Sequence, residues 1–109
     1  MEILDKYLLR KEKTLAKKIE IDNSLYEELE KIANKKYDAS INKIVNVAIL
    51  ELIETENVKI YKRKDNEISE SHSFLIRESS YKKLEELRNI YGISIFKLVN
   101  IAIYNALNS

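Results

Sequence analysis

At 109 residues the chain has material for one core and too little for two independent ones. It has no cysteine, so neither a disulfide framework nor a thiolate metal site can hold it together, and an intracellular setting is expected. Charged residues make up 34% of the chain but nearly cancel to +1, so any attraction for a polyanion has to be local.

In chain order, Ile3, Leu4, Tyr7 and Leu8 stand at helical spacing, which predicts a short amphipathic helix over residues 1–13, packed on the core or on a neighbouring molecule. The charges of this stretch run from acidic to basic, the reverse of a secretory leader. Apolar runs elsewhere break at Asn, Lys or Glu well short of the roughly 18 residues that cross a bilayer. A cytoplasmic protein without a membrane partner is expected. Basic residues gather at Lys6, Arg10, Lys11, Lys13, Lys17 and Lys18 and again at Lys59, Lys62, Arg63 and Lys64, either as solvated surface or as local anion contacts.

The decapeptide SINKIVNVAI at 40–49 returns as SIFKLVNIAI at 94–103, identical at seven of ten positions. Each copy is preceded by a two-residue alternation, Ile19 and Ile21 in one and Phe74 and Ile76 in the other, which predicts a half-buried strand. Polar helix starters follow: Asp22, Asn23 and Ser24, with Glu27 at capping-box spacing from Ser24, and Glu78, Ser79 and Ser80. Leu25, Leu29, Ile32 and Ala33 then mark an amphipathic helix, matched by Tyr81, Leu84 and Leu87. These helices are expected to end at Tyr37-Asp38 and Tyr91-Gly92, where Gly92 and Asp38 tolerate positive φ. Ser40 and Ser94 cap second helices that are apolar nearly all round and so have to be enclosed by others. Asn46 and Asn100 hold equivalent places there, as surface amides or a satisfied buried pair.

Each unit is therefore strand, helix, turn, helix, the first over residues 14–53 and the second over 71–109. A lone strand and a fully apolar helix are each unstable alone. Both needs are met if the strands pair as an antiparallel ribbon and the four helices enclose one another. Residues 54–70 form a polar linker in which VKIYK is a short strand or extended chain; extended, it reaches on the order of 55 to 60 Å.

Tyr91-Gly92-Ile93-Ser94 with Leu98-Val99-Asn100-Ile101-Ala102, and Ile19-Glu20-Ile21-Asp22 with Leu25 and Leu29, resemble the ribbon-helix-helix superfamily of MetJ, Arc and CopG regulators. The likeness covers roughly residues 16–53 and 71–107, and the tandem form resembles archaeal viral transcription regulators. It implies a mainly α protein with a two-stranded antiparallel ribbon, two ribbon-helix-helix units forming an intrachain pseudo-dimer. It further implies a DNA-binding regulator in the cytoplasm, or the host cytoplasm if viral, whose ribbon enters the major groove. The outward, base-contacting residues would be Ala16, Lys18, Glu20, Ser71, Ser73 and Leu75. The phosphate clamps would be Ser40, Ile41, Asn42, Ser94, Ile95 and Phe96, with Lys17, Lys18 and Arg77 flanking.

Lys43 and Lys97, three residues after the capping serines, occupy a position where the helix dipole disfavours a cation, which makes sense if an anion sits on those amides. Several molecules are expected to line up along double-stranded DNA. Glu20, Leu75 and the small net charge favour a second reading, an antitoxin-like or scaffold module that binds protein. No nucleophile and base pair, glycine-rich phosphate loop or metal cluster is written in the sequence, so neither an enzyme nor a cofactor is expected. His72 falls on the inward side of its strand, a structural position.

Overall fold

The computed structural model describes residues 13–35 and 40–108. The helix expected over residues 1–13 lies outside them except for Lys13, as does the exit expected at Tyr37-Asp38. In order the elements are β1 (Thr14–Asp22), α1 (Asn23–Lys35), α2 (Ile41–Thr55), β2 (Ser69–Arg77), α3 (Glu78–Tyr91) and α4 (Ile95–Leu107). The fold is mainly helical with one two-stranded antiparallel sheet, as the alternating apolar residues require. No single helix among the described residues is long and apolar enough to cross a membrane.

β1 and β2 pair along their full length, with Lys18 opposite Ser73 at the centre. Ile19, Ile21, Phe74 and Ile76 point from the ribbon into one core with Leu25, Leu29, Leu84 and Leu87 of the first helices. Val45, Ile49 and Leu52 of α2 and Leu98, Val99 and Ile103 of α4 complete it, and α2 and α4 pack against each other. Each such side chain adds about 1.5–3 kcal/mol by leaving water.

The halves hold each other by reciprocal bonds. Each strand runs straight into a helix, and the first helical amide needs an outside acceptor. The Asn23 amide donates to the Ile68 carbonyl and the Glu78 amide to the Lys13 carbonyl, both at 2.9 Å, so each start is capped by the backbone just ahead of the opposite strand. Asn46 and Asn100 make a second reciprocal pair. Asn100 accepts from the Asp22 amide at 2.9 Å and donates to the Glu20 carbonyl at 2.8 Å. Asn46 accepts from the Arg77 amide at 3.2 Å and donates to the Leu75 carbonyl at 2.8 Å. Both amides are buried and fully used, the satisfied pair of the two alternatives rather than surface amides.

Gly92 ends α3 at φ 67°, its amide bonded to the Arg88 carbonyl at 2.8 Å. Glu56 does the same for α2 at φ 50°.

Residues 56–68 form no strand; they are a docked strap rather than a free tether. Glu56 accepts from the Tyr91 hydroxyl and the Asn57 carbonyl from the Asn105 side chain, each at 2.9 Å. Tyr61 stacks on Tyr104 of α4 at 4.5 Å between ring centres. Its hydroxyl donates to Asp22 at 2.5 Å, and Arg63 grips both oxygens of the same carboxylate at 3.0 and 3.2 Å. Asp22 is 5% exposed, so this fork replaces the water it has lost. Ser24, placed by its spacing in a capping box with Glu27, donates its hydroxyl to Glu67 of the strap.

Because the strap crosses α4 alone, the two apolar helices are not equally enclosed. Ile101 is 1% exposed in a cleft it shares with Tyr61, whereas Val47, at the matching place on α2, is 51% exposed. The expectation that both helices are enclosed on all sides fails at that point.

Burial, and then the hydrogen bond to Asp22, hold the Tyr61 hydroxyl well above its usual pKa near 10. A group raised in the folded state stabilises fully below the unfolded value and loses that contribution as pH climbs past it. Tyr61→Phe should therefore cost about 1–2 kcal/mol at neutral pH, and the gap to wild type should narrow above about pH 10. Urea unfolding followed by circular dichroism at stepped alkaline pH measures it; a gap that stays constant up to pH about 11.5 contradicts this account.

Candidate nucleic-acid interface

Strand alternation gives the ribbon two faces, and the helices cover only one. Ala16, Lys18, Glu20, Ser71, Ser73 and Leu75 all lie exposed on the other. Register sets them in three cross-strand pairs, Ala16 with Leu75, Lys18 with Ser73, and Glu20 with Ser71. The central pair offers an ammonium and a hydroxyl, one end an acceptor and a hydroxyl, and the other end only hydrocarbon. Leu75 is 53% exposed on a face that no other described element covers, so nothing among the described residues accounts for it.

Ser40 and Ser94 are the N-caps of α2 and α4, both extended, with each hydroxyl accepting from the amide three residues on, Lys43 at 3.2 Å and Lys97 at 3.4 Å. The earlier amides, of Ile41 and Asn42 and of Ile95 and Phe96, have no intrahelical acceptor, as at any helix start. Neither first turn contains an acidic residue, and Lys43 and Lys97 are both exposed.

The start of each helix stands beside one edge of the ribbon. Asn42 donates to the Leu75 carbonyl at 3.1 Å and accepts from the Leu75 amide at 2.8 Å, so α2 abuts β2. Asn100, one turn into α4, donates to both the Phe96 and Glu20 carbonyls, so α4 abuts β1. The side chain of Asn42 thus serves the ribbon, leaving its backbone amide for any anion.

One of the expected flanking cations, Lys17, is turned toward the body of the protein. Lys17 is half-buried with its ammonium 4.6 Å from the centre of the Tyr81 ring, a cation–π contact. Arg77 is half-buried, its backbone amide bonded to Asn46, and register sets it opposite Thr14 on the same side of the ribbon as Leu75. The counterpart of the Lys17–Tyr81 contact is His72 stacked on Tyr26, ring centres 3.7 Å apart and planes 6° from parallel. Lys18, Lys43 and Lys97 are the exposed cations among the expected site residues, and Glu20 is the one acidic member of the six ribbon residues.

Sequence reasoning missed the Asn42 clasp, the Tyr26–His72 and Lys17–Tyr81 contacts and the Asp22 fork. A signal existed only for the aromatic contacts, because Tyr26 and Tyr81 recur at the same distance after the strands in both copies. Compared with protein-family models, curated proteins and solved structures, the chain matches none.

Proposed function

We propose that the protein is a DNA-binding transcriptional regulator of the ribbon-helix-helix type, acting in the cytoplasm of its cell or of a host. Its two units form a pseudo-dimer within one chain about an approximate twofold axis, which the reciprocal Asn46 and Asn100 bonds support. A single observation carries the reading: a two-stranded ribbon face left uncovered by the described residues and flanked at both edges by serine-capped helix starts with a lysine at the third position. A two-stranded ribbon fits the major groove, about 12 Å wide, where Lys18 and Ser73 meet base edges. Helix starts on both sides are suited to the phosphates bordering that groove.

Electrophoretic retardation on random and AT-rich duplexes tests it. Retardation is expected at micromolar protein and low salt, with affinity falling by about 0.9 in log–log slope for each neutralised phosphate. No retardation under those conditions rejects DNA binding. Lys18→Ala with Ser73→Ala should relax sequence preference while leaving residual, sequence-independent retention.

A second reading is favoured by Glu20 and Leu75, an acid and a large aliphatic on the same bare face. In it the ribbon binds a protein, as in an antitoxin or scaffold, and the same retardation experiment separates the two.

A further inference from the structure

We propose that the ribbon reads a non-palindromic duplex, thymine-rich at one end and with a cytosine at the other, and that Leu75 and Glu20 set this polarity. The inference rests on the DNA-binding reading above. A homodimeric ribbon repeats its residues about its centre and so matches an inverted repeat. Here the positions matched by the asparagine clasps are unlike: Glu20 answers to Leu75, both bonded through their carbonyls, and two residues further along, Asp22 answers to Arg77 through their amides. The same match pairs Lys18 with Ser73 and Ala16 with Ser71.

Register then sorts these differences along the ribbon. Ala16 and Leu75 are cross-strand neighbours, as are Glu20 and Ser71, with Lys18 and Ser73 between them. Alternate residues rise about 6.8 Å along an antiparallel strand, so the end pairs lie about 14 Å apart, the rise of roughly four base-pair steps. The Ala16–Leu75 pair itself has no polar side-chain atom to offer, the next pair on this face being Thr14 with Arg77, so a base amino or carbonyl group directly beneath Leu75 loses its water without replacement. The thymine methyl is the one major-groove group that gains from such contact. At the opposite end Glu20 is an acceptor only; it needs a donor to offset phosphate repulsion, and cytosine N4 supplies one. Ser71 beside it fits either base. At the centre Lys18 suits guanine O6 and N7.

The two ends also differ in how firmly they are held. The Leu75 backbone is bonded to both Asn42 and Asn46. Phe96 stands where Asn42 does in the other half and has no amide to give Glu20, which is held through its carbonyl by Asn100. The Leu75 backbone is thus clasped by two side chains and the Glu20 backbone by one.

Selection of bound fragments from a random pool with the full chain, followed by affinity measurements on a selected site, tests this. The expected consensus lacks inversion symmetry. Replacing thymine by uracil at the Leu75 end weakens wild-type binding by about fourfold per methyl, the same replacement elsewhere does not, and Leu75→Ala abolishes the difference. Glu20→Gln should move the preferred base at the other end from cytosine to adenine, whose N6 and N7 a glutamine amide pairs with. Thermal unfolding of both variants should match wild type, since both side chains are exposed. A palindromic consensus, or uracil tolerance at both ends, overturns the inference while leaving DNA binding intact. Failure to retain any duplex from the pool overturns DNA binding and the inference together.

Discussion

Asn100→Ala is expected to lower the unfolding free energy by roughly 2–4 kcal/mol, the cost of leaving a buried amide and a partly buried carbonyl without partners. The side chain is 5% exposed and makes three bonds, accepting from the Asp22 amide and donating to the Glu20 and Phe96 carbonyls. Phe96 loses least, because its carbonyl already lies within a helix. Asp22 and Glu20 lose a partner that came from a different part of the chain. Asn46→Ala should cost less, since Asn42 still donates to the Leu75 carbonyl after the change. Against a total stability of about 5–15 kcal/mol for a small domain, either loss is large. Chemical denaturation read by far-ultraviolet circular dichroism gives both numbers; equal costs, or an Asn46→Ala variant worse than Asn100→Ala, would contradict this hydrogen-bond assignment.

The second large effect is on binding, and there stability and affinity should move in opposite directions. Lys43→Glu with Lys97→Glu places an acid in a first helical turn that now has none, which stabilises each helix by about 0.3–1 kcal/mol through the dipole. The thermal midpoint is expected to hold or rise. Affinity for duplex DNA should fall on the order of 100-fold at moderate salt, with the log–log salt slope reduced by about 0.9 for each phosphate no longer neutralised. A lysine with no role at an anion gives the first result without the second. Undiminished binding by the double variant would therefore remove the phosphate clamps from the account.

Much of the fold is written locally. The two-residue alternation of Ile19 with Ile21 and of Phe74 with Ile76 predicts the strands, and the recurrence of a capping serine with an apolar decapeptide predicts α2 and α4. Because the copies are alike, a partner for each strand is implied by the other. Ribbon residues follow from parity alone, since the faces of a strand alternate once the buried one is known. What parity does not supply is chemistry reaching across the chain. Tyr61 and Arg63 sit in a charged, alternating stretch that reads as tether, yet their partner Asp22 lies 39 and 41 residues away with no pattern linking them. Asn42 escaped for the opposite reason, standing where the two copies differ, so the repeat that exposed everything else was silent there. Val47 escaped because the repeat treats both second helices as equivalents, while the strap covers only one.

Both strands of the ribbon come from a single gene product, and this alters how the molecule can change over generations. In a self-pairing subunit every codon change appears twice, so a gain at one end of the recognition face is mirrored, useful or not, at the other. Here a mutation in the codon for Leu75 leaves Glu20 as it was, and on the proposed reading either end could drift toward a new target while its neighbour kept the old one. Dilution cannot separate the strands, nor can a related subunit in the same cell exchange into the pair.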